Sequence, residues 1–209
     1  MAKKTVKRRK ALFITFEGGE GTGKSTHIKF LVKLLAKKGL TVKTFREPGS
    51  SALSEKIRNI LLHYKRNITP ESELFLYLAA RTQFIKEKLL SALEKYDVVV
   101  CDRFFDSTLV YQGYALGLGL EKIRPIVAFA ALGVKPDLTF VLDVEPKKAL
   151  SRIKRKKDRI EKRPLNFHQA LRRGYKILAI KEPKRVRIIH NDDKTRTQEI
   201  ISKIVSKHV

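Results

Sequence analysis

The run Gly18-Gly19-Glu20-Gly21-Thr22-Gly23-Lys24-Ser25 carries the chemistry most plainly. It fits the spacing of glycine, four residues, then Gly-Lys-Ser. Glycines let successive N–H groups curl toward an anion. Lys24 supplies a mobile charge for β- and γ-phosphates, and Ser25 a hydroxyl for Mg²⁺. Gly18, Gly19, Glu20, Gly21, Thr22, Gly23, Lys24, Ser25 and Thr26 are therefore the candidate triphosphate site. Asp102 closes an apolar run and offers the hard oxygen that Mg²⁺ wants beside Ser25, so Ser25 and Asp102 are the candidate metal ligands. Arg103 and Arg46 stand at the ends of neighbouring strands, where two fork-shaped cations can hold a second phosphate group. One triphosphate site beside one monophosphate site is the geometry of a kinase rather than of a mechanical ATPase.

Those residues need elements to carry them. The apolar run 12–16 reads as a buried strand. After the glycine turn, Ile28, Leu31, Val32, Leu34 and Leu35 follow at helical spacing to Lys37-Lys38-Gly39. A second strand is expected over 40–45. Ser51 or Ser54 is expected to cap a helix carrying Ile57, Ile60, Leu61 and Leu62. Pro70 suits the first turn of a long helix with a core stripe of Leu74, Leu78, Phe84, Ile85, Leu89, Leu90 and Leu93. A continuous apolar strand over 97–101 delivers Asp102 and Arg103. Residues 104–120 read as a helix fraying at Gly113, Gly117 and Gly119, followed by a helix over 123–132. A fourth strand covers 138–142, and Pro146 starts a helix that a basic stretch interrupts. A helix over 167–180, a strand over 186–190 and a helix over 195–205 close the chain. Alternating strands and helices predict an α/β fold: a five-stranded parallel sheet with helices on both faces, and ligands beyond the strand carboxyl ends.

The chain has 209 residues, 43% hydrophobic and 32% charged, which suits one domain over 11–209 preceded by a basic flexible arm over 1–10. No apolar run approaches a membrane span, and the one after the basic arm stops at Glu17, too short for a signal peptide. The single cysteine, Cys101, excludes an internal disulfide and fits a reducing, cytoplasmic compartment. Inside a strand it reads as an inert buried thiol. His168 reads as a surface histidine and His27 as a solvated or packing residue. The net charge of +25 invites a nucleic-acid reading, but no RNA-binding signature or zinc spacing accompanies it, so such binding is expected only incidentally.

Six further stretches add to the loop. Phe16-Glu17-Gly18, Arg46-Glu47-Pro48-Gly49, Glu73 through Arg81, Asp102-Arg103-Phe104 with Ser107-Thr108 and Tyr111-Gln112-Gly113, Lys135-Pro136-Asp137, and Asp158-Arg159-Ile160-Glu161 occur in that order. Together they resemble the thymidylate kinase family, over nearly all of the chain after residue 10. The resemblance implies a three-layer P-loop kinase fold with a small lid, here about 147–163. It implies transfer of the ATP γ-phosphoryl group to dTMP with Mg²⁺, by a homodimer. It also implies that Tyr77 stacks on the thymine and Arg81 bonds its edge. By the same resemblance Thr108 and Gln112 line the base pocket, Tyr111 crowds the ribose 2′ position, and Glu20 lies near the sugar 3′-OH. Arg46 and Arg103 then hold the acceptor phosphate. One branch of the family carries a basic residue within the phosphate loop. This chain has Glu20-Gly21-Thr22-Gly23 there, so the catalytic cation is expected from the lid, Arg152 first and Arg155 second, beside Lys24, Asp102 and Arg103.

Two other readings compete. One is another nucleoside monophosphate or deoxynucleoside kinase on the same fold. The other is a basic nucleic-acid-binding protein that uses ATP as a switching ligand.

Overall fold

The computed structural model describes residues 11–209; the arm expected over 1–10 lies outside the described residues. Strands β1 (Leu12–Glu17), β2 (Val42–Arg46), β3 (Val98–Asp102), β4 (Leu138–Asp143) and β5 (Val186–His190) form one parallel sheet in the order β2-β3-β1-β4-β5. The inner strands β1, β3 and β4 are apolar on successive residues because helices cover both their faces. Phe16 and Arg46 both pair with Asp102 across the ladder. That register brings Glu17, Arg46, Asp102 and Asp143 to one carboxyl edge.

On one face lie α1 (Lys24–Lys37) and α9 (Lys194–Val205). They bury Ile28, Leu31, Leu35, Ile201 and Val205 on Phe16, Val100 and Phe140 of the sheet. The other face carries α3 (Pro70–Phe84), α4 (Leu90–Lys95), the short α5 (Phe105–Thr108), α6 (Leu120–Ala130) and α8 (Leu165–Lys181). Helix α2 (Ala52–His63) packs on α3 through Ile57, Leu61 and Ala80, and α7 (Pro146–Ser151) follows β4. The result is the three-layer α/β sandwich expected from the sequence.

Local chemistry sets the helix ends. Ser51, not Ser54, caps α2 by accepting from the Ser54 N–H; the Ser54 hydroxyl is buried and donates to Ala80 O at 2.7 Å. Thr69 caps α3 ahead of Pro70 in its first turn. Two π-helical turns were not anticipated, Ile85–Leu89 and Leu109–Ala115. The first changes the helical phase, which leaves Leu90 at 42% exposure, out of the expected core stripe. The second runs through Gly113, so the helix does not fray there. A Cβ on Gly113 would sit 3.1 Å from the Leu120 Cα, so this glycine permits close packing of α6 rather than a break.

A buried ion pair ties α5 to the sheet. Arg185 donates to both oxygens of Asp106, at 2.6 and 2.9 Å, and to Thr139 Oγ1 at 2.7 Å, and Thr139 bonds Thr15. Removing one partner leaves a buried carboxylate uncompensated, a loss of about 3–5 kcal/mol. Arg185→Ala should therefore unfold at markedly lower urea. Arg124→Ala, which breaks the exposed pair with Glu121, should cost under about 1 kcal/mol.

Candidate active site

The glycine loop wraps the N-terminus of α1, with Gly23 at φ 88° as its cap residue. Gly21, at φ 72°, lies so close to α7 that a Cβ would meet Ala149 O at 2.0 Å, so only glycine fits. Lys24 is buried, and its Nζ donates to Gly19 O at 3.0 Å and Gly18 O at 3.3 Å. Burial lowers the Lys24 pKa and Arg103 adds to this, while Asp102 and Glu20 oppose it. Thr22 is buried inside the loop and bonds Gly19 O, whereas Ser25 and Thr26 are exposed at its mouth. Ser25 Oγ donates to Asp102 Oδ2 at 3.3 Å across the sheet edge. Two hard oxygens here, facing a cavity for phosphate oxygens, suit Mg²⁺, which takes few protein ligands and keeps several waters.

Arg103 follows Asp102 at φ 70°, a left-handed position that an L-residue adopts only when its surroundings fix it. Its guanidinium donates to Glu20 Oε1 at 2.8 Å, Gly18 O at 2.9 Å, Ser107 Oγ at 3.1 Å and Tyr175 OH at 3.3 Å. Tyr111 OH donates to the same Glu20 oxygen at 2.8 Å. Burial alone would raise the Glu20 pKa; Arg103, Lys24 and Tyr111 overcome it and hold the carboxyl at about 2. Beneath this cluster, fully buried Glu17 accepts from Phe104 N at 2.8 Å, Ser107 Oγ at 2.6 Å and Tyr175 OH at 2.9 Å. Burial first, and Asp106 second, push Glu17 up to about 7.

Beyond Arg103 lies a cavity of about 610 Å³, whose walls include Tyr77, Arg81, Thr108, Tyr111 and Gln112. Tyr77 is half-buried along this wall. Arg81 is buried, paired with Glu47 at 2.7 Å and bonded to Thr108 Oγ1 at 2.9 Å. Gln112 donates to Glu73 at 2.8 Å. A second cavity, of about 930 Å³, holds the loop residues 20–26 with Arg46, Asp102 and Arg103. The two share Glu20, Glu47, Arg58, Arg103, Arg155 and Glu161 in their walls. Arg46 pairs with Glu55 at 2.9 Å at its rim.

In the expected lid, Arg152 and Arg155 both line the loop cavity. Arg152 is exposed; Arg155 pairs with Glu161 at 2.6 Å. Arg159, in the same segment, points elsewhere. It and Arg163 both grip buried Glu73, at 2.6 and 2.7 Å. Cys101 is buried in β3, where burial raises its thiol pKa well above the ordinary range. His168 is not a surface residue. It is 4% exposed and, with Tyr175, lines a pocket behind the glycine loop. Its place on the inner face of α8 decided this, a face that the apolar spacing of Phe167, Leu171 and Tyr175 already marked.

Three side chains escaped the sequence reading. Arg58 borders both cavities and donates to Pro48 O at 2.9 Å. Asn191, just past β5, donates to Thr22 O at 2.7 Å and bonds His27 Nε2 at 3.0 Å, latching the loop from behind. Glu17, present in the sequence as part of Phe16-Glu17-Gly18, has no role assigned there, and the buried hydrogen bonds it makes appear only in the structure. The available signal was position: Asn191 and Glu17 both sit at carboxyl ends of strands, where this class of sheet collects its polar groups.

A phosphate loop at the switch of a parallel α/β sheet, open to a second cavity rimmed by arginines, defines a P-loop nucleotide kinase. Residues 16–204 match the family described as Thymidylate kinase. A thymidylate kinase of Thermoanaerobacter sp. (strain X514) is 45% identical over 84% of this chain and 87% of that protein. One of Carboxydothermus hydrogenoformans is 42% identical over 92% of this chain and 94% of its own length. The crystal structure of thymidylate kinase from Ehrlichia chaffeensis superposes with a TM-score of 0.76 at 30% identity, covering 94% of this chain and 99% of that one. The chain belongs to the thymidylate kinase family.

Glu17 gives the site a pH signature. Folded, it keeps its proton up to about pH 7; unfolded, it releases it near the ordinary value of 4.5. Between those values the native state binds more protons, so this group's contribution to stability falls as pH rises and then levels off. The difference in unfolding free energy, wild type minus Glu17→Gln, should decline from about pH 4.5 to about pH 7. Urea titrations at stepped pH check this; a constant difference refutes it.

Proposed function

We propose that this chain transfers the γ-phosphoryl group of ATP to dTMP, giving ADP and dTDP, in the cytoplasm. The observation that carries the reading is the shared wall of the two cavities, because in-line transfer needs donor and acceptor phosphates to meet at one place. The unit is 11–209, with 147–163 as its lid.

On this reading the glycine loop cradles the ATP phosphates with its N–H groups, and Lys24 leaves the carbonyls of Gly18 and Gly19 to meet the β- and γ-oxygens. Ser25 and Asp102 would hold Mg²⁺, which when bound neutralises charge on the phosphates. Arg103 and Arg46 orient the acceptor phosphate, with Arg58 beside them. Tyr77 stacks on thymine, Arg81 meets its edge, and Thr108 and Gln112 complete the pocket. Tyr111, fixed by Glu20, fills the space a ribose 2′-OH would take. A homodimer is the assembly we favour: Leu53 and Ile60 of α2, Phe75 of α3 and Phe129 of α6 are exposed, and α3 packs against both α2 and α6. Light scattering on Phe129→Glu tests it.

A coupled assay with ATP and a panel of nucleoside monophosphates tests the function. dTMP should be the best acceptor; equal rates with other bases overturn the reading in favour of a broader kinase. Lys24→Ala and Asp102→Ala should each lose at least about tenfold in turnover. Arg81→Ala should weaken dTMP far more than ATP, since an unpaired edge in a dry pocket costs about 1–3 kcal/mol. Tyr77→Ala should do the same, with Tyr77→Phe near wild type. An unchanged KM for dTMP in Tyr77→Ala would assign that ring to packing.

The lid makes a separate prediction. An arginine meeting the transferring group is worth up to about 10³–10⁵ in rate. The Arg152→Ala, Arg155→Ala double variant should therefore lose kcat while its KM for dTMP barely moves. Wild-type turnover in that variant would mean that the cation comes from outside the lid.

A further inference from the structure

Outside the two cavities a broad groove of about 1660 Å³ runs between the C-terminal end of α2 and the lid. Its walls include His63, Tyr64, Lys65, Lys156, Lys157 and Lys162, all exposed. Among the described residues, Lys65, Lys156, Lys157 and Lys162 have no carboxylate within ion-pair distance, unlike Arg155 and Arg159. Among the described residues Asp158 is the only acidic side chain of the wall, and its Oδ1 already accepts the N–H groups of Ile160 and Glu161. Unpaired cations collected on one concave wall repel each other, a cost that a polyanion in the groove removes.

The shape and composition select among polyanions. Tyr64 is 49% exposed and sits among the lysines, a free π-face beside a track of cations. A folded protein partner would require an apolar centre, and the groove offers only half-buried Leu62 and this ring. A single strand uses such a surface well, with phosphates on the lysines and a base on the ring. We propose that the groove binds single-stranded nucleic acid along its sugar–phosphate backbone. Because Arg46, Arg58 and Arg155 belong to both this wall and that of the loop cavity, a bound strand crosses the mouth of the nucleotide site.

The test is fluorescence anisotropy of a labelled oligothymidylate of about 20 nucleotides, longer than a usual single-strand site, on the full chain. Changing Lys65, Lys156, Lys157 and Lys162 together to Gln should weaken binding at least about tenfold. It should also reduce the slope of log affinity against log salt by about 3, from about 0.7 per phosphate contact at four contacts. Tyr64→Ala should independently weaken binding at least about fivefold. A charge-matched control on the α1–α9 face, with Lys29, Lys33, Lys37 and Lys203 changed to Gln, should bind like the parent, and all variants should melt close to it. An equal loss in the control overturns the proposal in favour of general charge attraction. Loss on deleting residues 1–10 with full binding by the groove variant overturns it in favour of the arm. Inorganic polyphosphate binding as tightly as the oligonucleotide, with Tyr64→Ala silent, overturns it in favour of a site blind to bases.

Discussion

The guanidinium of Arg103, with its side chain only 14% exposed, is the constraint from which the site's geometry follows. It is held at a left-handed backbone position and donates at once to the glycine loop, to Glu20 and to α8 through Tyr175. Glu17, one layer below, fixes the same turn by accepting the Phe104 N–H. A cation so enclosed would be costly without partners, and its carboxylate and carbonyl neighbours offset that cost. Burial lowers the Arg103 pKa, but Glu20 and its neighbours raise it well above the ordinary value, so the charge is permanent. Loop, strand end and helix thus share one charge, and displacing any of them disturbs the rest.

The same economy explains why the cavity beyond Arg103 is lined by residues that are already hydrogen-bonded. Arg81 lies between Glu47 and Thr108, and Gln112 is tied to Glu73. Side chains locked by neighbours lose little rotamer freedom when a ligand arrives, so binding energy goes into recognition. Glu47 nonetheless keeps one buried oxygen, Oε1, without a protein partner. Burial raises its pKa although Arg81 opposes this, which leaves the pair less than fully compensated at the cavity wall.

Local sequence carried the fold because its signals are local: apolar runs for strands, Pro70 and Pro146 for helix starts, glycines for the loop. Its errors have physical causes. Gly113 looks like a breaker in isolation, and only the approach of α6 shows that it is a packing position. Leu90 fell out of register because a π turn leaves no mark in the period of the apolar residues. In the site, Lys24, Asp102 and Arg103 were legible from spacing and strand ends. Asn191 and Glu17 were not, since their partners lie 169 and 158 residues away. Pairings at that range are decided by topology, which the strand order β2-β3-β1-β4-β5 supplies and the linear chain does not.

Energetics also divide the segment 147–163 into a fixed end and a free one. Arg159 and Arg163 grip Glu73, which is wholly buried; with both cations at most 17% exposed, that anchor is shielded from water and salt. Arg155 is different: its side chain is 64% exposed although Glu161 beneath it is buried. Without Arg155 that buried carboxylate would keep only the Asp158 N–H as a hydrogen-bond partner among the described residues, so the pair has a cost to break even though its cation lies in water. A triphosphate in the adjoining cavity would set several charges against the single one on Glu161 in the competition for Arg155. Arg152 has even less to give up, being exposed and facing the same cavity. If 147–163 is the lid proposed above, closure over a nucleotide would move the stretch around 152–157 while the Glu73 anchor holds its base against α3.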